Sequence, residues 1–487
     1  MSNDKLKVSG VTYNVQASDY YEKRQLRRTA GIWGLWGLAV AAVISGDFSG
    51  WNFGIAQGGF GGLLIAFGIL VVMYYGLMFA IGEMSAAMPH TGGAYSFGRK
   101  AMGPWGGFIT GLAETIEYVA TTAVIVYFSA SYAAGIAAEL LGFSMAPWMW
   151  YIALYVVFLV LNSLGSNISF KFAIVVSFIS IAILAVFYVM ALASGKFNWD
   201  SLFNIAPNGS FGSSEFLPFG IVGILFAIPF GVWLFLGIEA LPLAAEESKN
   251  PTKDIPRAGV WARATLIITG LLVLVLNTGI LGAEKTGASL EPLLDGFRVI
   301  VGDGWAAVLG LFALIGLLAS LQGIMFAYGR NMYSLSRAGY YPKVLSLTGK
   351  NQTPWAALIA GAVIGFVALV VIDSTGGAAA PAGAIVLNIA VWGAMLAYIM
   401  QMVSFVILRR KFPNMNRPYK SPWGMNGAVI AGIIAFISFI GFLLNPAFQL
   451  AIVAIIIVYL IVLAVFAVWG RHRLVLSPEE KYAVEGK

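Results

Sequence analysis

Apolar runs of about 20 residues, the length of helix that crosses a bilayer's hydrocarbon core, recur along nearly the whole of this chain. They lie at about 30–56, 60–84, 103–136, 147–164, 169–194, 218–245, 260–282, 305–333, 354–373, 381–408, 426–444 and 448–470. In lipid every backbone N–H and C=O needs an internal partner, so each run is predicted to be a helix. Composition agrees: 59% of the residues are hydrophobic and 10% charged, against about 25% charged in soluble domains. The prediction is an all-α polytopic membrane protein with 12 transmembrane helices.

The charges orient it. The net charge is +7, and 26 of the 29 Lys and Arg fall on one side if both termini are cytoplasmic. Only Lys196, Lys285 and Arg298 fall in the outer loops. The positive-inside rule accounts for this pattern, so it marks topology and not a nucleic-acid surface. Expected is a multi-pass protein of the plasma (inner) membrane. Residues 1–29, with Lys23, Arg24, Arg27 and Arg28 before the first span, read as a retained cytoplasmic tail, there being no small-residue cleavage site. No cysteine is present, and the two histidines, His90 and His472, fall in loops or tails. Thiolate chemistry, disulfides and a Cys-ligated metal are excluded, the placement of the histidines argues against a His-based metal or catalytic site, and no cofactor is implied.

Two spans are interrupted in mid-course. The first contains Ser45-Gly46-Asp47-Phe48-Ser49-Gly50, and the sixth contains Pro229, Gly231, Gly237 and Pro242. A central Asp alone costs about 2.5–3.5 kcal/mol of insertion energy. Irregular backbone at that depth is tolerated only where protein buries it or it lines a wet cavity. Broken helices of this kind build the substrate sites of secondary transporters. The breaks stand five helices apart, which suggests two inverted five-helix repeats, 30–194 and 218–408. Helices 11 and 12 (426–470) follow, then a C-terminal tail, 471–487. The backbone groups freed at the breaks are expected to be available to a ligand.

Asp47 is the foremost candidate residue. Beside Gly46, Ser49 and Gly50 it would attract an ammonium group, or cap the second half-helix through its free N–H groups. Trp233 and Phe235, between Gly231 and Gly237, would cover a small cation or serve as ordinary packing. Glu239 would orient the unwound backbone, accept a proton, or pair with a polar neighbour. Glu114 and Glu117 share one face of the third helix. They are proton-carrier candidates or part of a polar seam between helices. Glu83, Arg99, Lys100, Glu246, Glu247, Lys249, Arg257 and Arg330 fall at cytoplasmic ends, as surface charge or as inner-gate ion pairs.

Three blocks resemble the amino acid–polyamine–organocation superfamily: GEMSAAMPHTGGAYSFGRKAMGPWGGFITG (82–111), GIEALPLAAEESKNPTKDIPR (237–257) and YGRNMYSLSRAGYYPKVL (328–345). The resemblance implies the five-plus-five inverted-repeat fold and alternating access. It aligns Gly46 and Gly54 with first-helix glycines, and Trp233, Gly237 and Glu239 with the aromatic, Gly and acidic positions of the sixth. In that superfamily a Gly-Ser/Thr-Gly segment offers amides to an amino acid's carboxylate. Here Asp47 and Phe48 replace the Ser/Thr and second Gly, and a fixed anion there repels a carboxylate. The implied substrate is a small amine without one, and SGDFSGWNFG (45–54) resembles the ethanolamine permeases of the superfamily. Its ammonium would meet Asp47 and the Trp233 face; an amino acid or polyamine permease is the alternative. Some relatives carry a fifth-helix Lys where sodium would sit; the aligned position is Ser180. Coupling to protons through Glu114, Glu117 or Asp47, to sodium through Ser320 and first-helix carbonyls, or to neither, stays open. An intramembrane aspartyl protease needs two aspartates, and no second one lies at mid-membrane. A channel fits the asymmetric, internally repeated chain less well.

Overall fold

The first span is two pieces. Helix α1 (Ile32–Val43) tightens into a 3-10 turn over Ile44–Asp47, and α geometry resumes only at Phe53. The computed structural model describes residues 5–8, 10–14, 16, 20, 24, 26–375 and 380–485; Lys23 lies outside them. Helix α2 (Phe53–Ala87) turns at Gly59, where φ is 71° and ψ 175°, so the first span ends and the second begins there. Helix α3 (Gly93–Leu141) is likewise two pieces joined at Gly103, φ 81°, with Pro104 opening the third span.

Helices α4 (Pro147–Ser163) and α5 (Ser166–Ala193) follow. Helix α6 (Gly220–Trp233) stops at the second interruption, and the sixth span continues as a 3-10 stretch over Ile238–Glu247. Then come α7 (Pro251–Leu281), the short α8 (Ala283–Ala288) and α9 (Pro292–Val301), and α10 (Asp303–Arg337). Helices α11 (Trp355–Ser374), α12 (Ala382–Lys411), α13 (Gly424–Leu444) and α14 (Gln449–Val468) complete the 12 spans.

Helix α2 packs on α6 and α7, and α7 on α1, while α3, α4, α10 and α11 form a second group. Helix α5 joins α1 to α10, while α12 lies along α3. The two interruptions meet where the groups face each other. Gly46 permits this: a Cβ there would stand 2.7 Å from the Trp233 carbonyl oxygen and 3.1 Å from Leu234 Cα. Helix α14 stands at the edge, burying only Ile452, Tyr459 and Phe466, as expected of a helix facing lipid.

The tails, which show no motif in the sequence, are built into one cap. Strand β1 (Lys5–Val8) pairs antiparallel with β2 (Val11–Asn14). Strand β2 pairs in parallel with β3 (Leu474–Val475), joining Tyr13 to Leu474 and Asn14 to Val475. Helix α15 (Pro478–Glu485) then docks on α3. The described parts of both tails therefore lie on one face, called here the terminal face.

Candidate functional site

Every residue from Ile44 to Phe53 is buried, so the first break is enclosed in protein. Its amides are largely used internally. Ser45 N–H donates to Ser320 Oγ at 2.8 Å, and Ser320 Oγ donates to the Ala41 carbonyl at 2.5 Å. Phe48 and Ser49 N–H both return to the Ser45 carbonyl, and Gly50 N–H reaches Asn52 Oδ1 at 3.0 Å. The expectation that the freed backbone groups stand open to a ligand is thus corrected at these four amides. Ser320, Asn52 and the tightened turn satisfy them.

The side chains radiate. The Phe48 ring lies against Gly316 of α10, and the Phe48 carbonyl accepts from Tyr132 Oη at 2.7 Å. Ser49 Oγ donates to the Leu290 carbonyl at 2.9 Å, between α8 and α9. Asn52 Nδ2 donates to the Thr286 and Ser289 carbonyls at 2.8 and 2.7 Å. The α8–α9 connection is therefore tied onto the break like a lid.

Asp47 differs from all of these. It is 1% exposed, and neither carboxylate oxygen makes a well-formed hydrogen bond among the described residues, the Thr269 side chain being a polar neighbour that does not satisfy it. The carboxylate turns toward α7, with Oδ1 3.5 Å from where a Cβ on Gly270 would sit, near Phe67 and Leu234. Leaving a buried polar group unpaired costs about 1–3 kcal/mol, and more for a charged one.

At the second break Trp233 Nε1 donates to the Ser49 carbonyl at 2.9 Å, pinning one interruption to the other. Its indole faces Gly50 and Phe128, whereas Asp47 faces α7 and α2, so the two diverge in this arrangement. Phe235 packs 5.3 Å from the Phe67 ring and 5.0 Å from that of Tyr74. Gly237 has φ 106°, which only glycine takes readily. Its N–H donates to both oxygens of Glu239, at 3.0 and 3.2 Å, and Tyr398 Oη donates to Glu239 at 2.7 Å.

Glu114 accepts from Asn331 Nδ2 at 3.1 Å and Tyr118 Oη at 3.3 Å. Glu117, one turn away, has neither oxygen partnered and faces Glu239. Sequence reasoning missed Tyr398, Tyr132 and Asn52. Only Asn52 carried a signal, being a polar residue inside the same interrupted span.

Toward the terminal face a stack of ion pairs closes the bundle. Glu247 and Arg330 are fully buried and bidentate, at 2.9 and 3.1 Å, and Ser166 Oγ donates to the same carboxylate. Thr29 and Ala30 N–H donate to the Glu247 carbonyl, fastening the start of α1. Arg337 bridges Glu246, at 2.6 Å, and Glu479 of the tail. Arg99 meets Glu480 at 2.6 Å, Lys100 reaches the Tyr482 carbonyl at 3.2 Å, and Glu83 pairs with Arg409 and Arg417. Lys249 and Arg257 enter no ion pair among the described residues. No cluster of metal-ligating side chains occurs among the described residues.

The amino acid permease family model matches residues 33–477. An uncharacterized transporter of Rhizobium meliloti (strain 1021) is 27% identical over 438 residues, covering 88% of this chain and 90% of its own. The methylthioribose transporter of Bacillus subtilis (strain 168) is 24% identical over 423 residues, covering 82% and 86%. Among solved structures, Mhp1, a nucleobase–cation–symport-1 family transporter in a closed conformation with bromovinylhydantoin bound, aligns with a TM-score of 0.51. That alignment covers 95% of this chain and 98% of Mhp1 at 15% identity, a likeness of fold. The architecture is the inverted-repeat transporter fold with its first and sixth helices broken.

Proposed function

The chain belongs to the amino acid permease family of membrane transporters, and from that premise we propose that it imports a small amine lacking a carboxylate, ethanolamine, by alternating access. The observation that carries this reading is Asp47, buried in the first break with no well-formed hydrogen bond to either carboxylate oxygen. An ammonium group is the partner such a carboxylate lacks, and the bond is charge-assisted. The same anion repels an amino acid's carboxylate. Residues 46–50, Trp233, Phe235, Gly237 and Glu239 form the substrate region, with Trp233 holding the two breaks together around it. The repeats are 30–194 and 218–408, both termini are cytoplasmic, and the membrane is the plasma membrane. The cycle opens the terminal face when Glu247 and Arg330 part, and the opposite face when Ser49 and Asn52 release the α8–α9 lid. Glu117, beside Glu239 with no other partner, is the place for a coupling proton, since two carboxyl groups bond only with a proton between them.

The family's name supports a second reading, an amino acid permease. Radiolabelled ethanolamine uptake into proteoliposomes, with competitors, separates the two. Saturable uptake that alanine and glutamate leave untouched is expected. Alanine competing as well as unlabelled ethanolamine would return the chain to the amino acid reading.

A further inference from the structure

Five arginines are buried among the described residues: Arg24, Arg99, Arg263, Arg330 and Arg337. Four are answered by the protein. Arg99, Arg330 and Arg337 each meet a carboxylate, and Arg24 donates to Ser346 Oγ and to the Tyr20 and Lys343 carbonyls. Arg263 of α7 is 2% exposed, yet it enters no ion pair among the described residues, and its Nε and Nη1 have no partner there. Its neighbours are aromatic and uncharged: its guanidinium carbon stands 3.8 Å from the Tyr75 ring centre and 4.7 Å from that of Phe79, both on α2, with the Tyr75 and Tyr419 phenols the polar groups beside it. A buried cation is ordinarily paired, because rings replace only part of its lost hydration.

The surroundings say what could pair with it. Trp423, just before α13, lies 5.7 Å from Tyr75 and 5.8 Å from Phe79. Trp261, two residues before Arg263, lies 5.8 Å from Trp33. All three tryptophans are exposed, at 39, 47 and 55%. Exposed tryptophans around a membrane protein mark headgroup depth, so Arg263 sits just inside the headgroups on the terminal face. Basic pockets between helices at that depth suit anionic lipid headgroups.

We propose that Arg263 binds the phosphate of an anionic phospholipid from the leaflet on the terminal side, where α2, α7 and the start of α13 meet. The lipid supplies the counter-charge that the chain does not. Helix α7 packs with α1 and α2, so the lipid stands beside the helices that carry the first break.

The test counts lipid retained by purified full-length protein in native mass spectrometry, from mixed phosphatidylglycerol and phosphatidylcholine. Wild type is expected to retain phosphatidylglycerol by about fivefold over phosphatidylcholine, the bias one cation near a membrane surface confers. Arg263→Gln is expected to lose that bias, and the Lys253→Gln control to keep it. Equal retention of the two lipids by wild type, which needs no variant to fold, overturns the proposal. So does an undiminished bias in Arg263→Gln. Phosphate titrated into protein in pure phosphatidylcholine nanodiscs distinguishes a free anion. If it raises the melting temperature as much as phosphatidylglycerol does, and Arg263→Gln abolishes that rise, the ligand is soluble and the lipid assignment falls.

Discussion

The two helix breaks hold one acidic residue each, and the protein treats them oppositely. Glu239 is held by the chain: it closes its own turn through the Gly237 amide and takes the Tyr398 hydroxyl, with Glu117 beside it. Asp47 is as deeply buried and has no well-formed hydrogen bond to either oxygen. A carboxylate bonded to its own turn holds backbone in place. One with none made is a site waiting for its counterpart. The difference teaches which break organises the fold and which meets the ligand.

The sharpest way to break this contrast is Asp47→Asn. Losing a charge-assisted contact of about 1.5–3 kcal/mol predicts a roughly 10- to 150-fold fall in ethanolamine transport. Thermal stability should hold or rise, since an unanswered buried charge disappears. A matching loss of melting temperature would make Asp47 a structural cap instead. Glu239→Gln should behave in reverse, lowering stability by about 1–3 kcal/mol because the Gly237 amide and the Tyr398 hydroxyl lose an ionised acceptor. Unfolding midpoints measured side by side decide between the two assignments. Tyr398→Phe removes one of those bonds and should cost about 1–2 kcal/mol, read from the same melts. Trp233→Phe, which removes the indole N–H from the Ser49 carbonyl and leaves a gap where the larger ring packed, should cost about 1–3 kcal/mol. If it instead abolishes transport at normal stability, Trp233 touches the substrate directly as well as joining the two breaks.

The last contrast concerns the cap. Burial alone would raise the Glu479 carboxyl, but Arg337 and His90 outweigh it and hold the group at about 2, from an ordinary 4.5. A depressed carboxyl stabilises above its unfolded value, and the contribution fades as pH falls from 4.5 toward 2. Glu479→Gln should therefore melt below wild type at neutral pH, the gap narrowing across that window. A gap that does not change with pH would mean packing, not charge, is at work.

Both breaks were legible in part. Gly46 and Gly237 sit at the observed interruptions, where a close approach and a positive φ require glycine, whereas helix α6 runs through Pro229 and Gly231 without stopping. The direction of Asp47 was not legible. Rotation through a 3-10 turn sets it, so the carboxylate and the Trp233 face, expected to share one ammonium, point different ways here. The cap was invisible for a different reason. Arg99 and Glu480 lie 381 positions apart, and nothing in either neighbourhood announces the other. Arg263 was counted as a topology charge, and only burial separates it from the rest.

The sheet that joins Tyr13 to Leu474 has a consequence for how the protein is made. Strand β2 emerges from the ribosome early, and β3 only after α14. Throughout synthesis the hairpin waits unmatched, and the terminal face has Glu246 but not Glu479 to meet Arg337. Full fastening of that face thus waits for β3 and α15, although the Glu247–Arg330 and Glu83–Arg409 pairs need neither. A copy cut short after α14 would keep those pairs and lack only the cap.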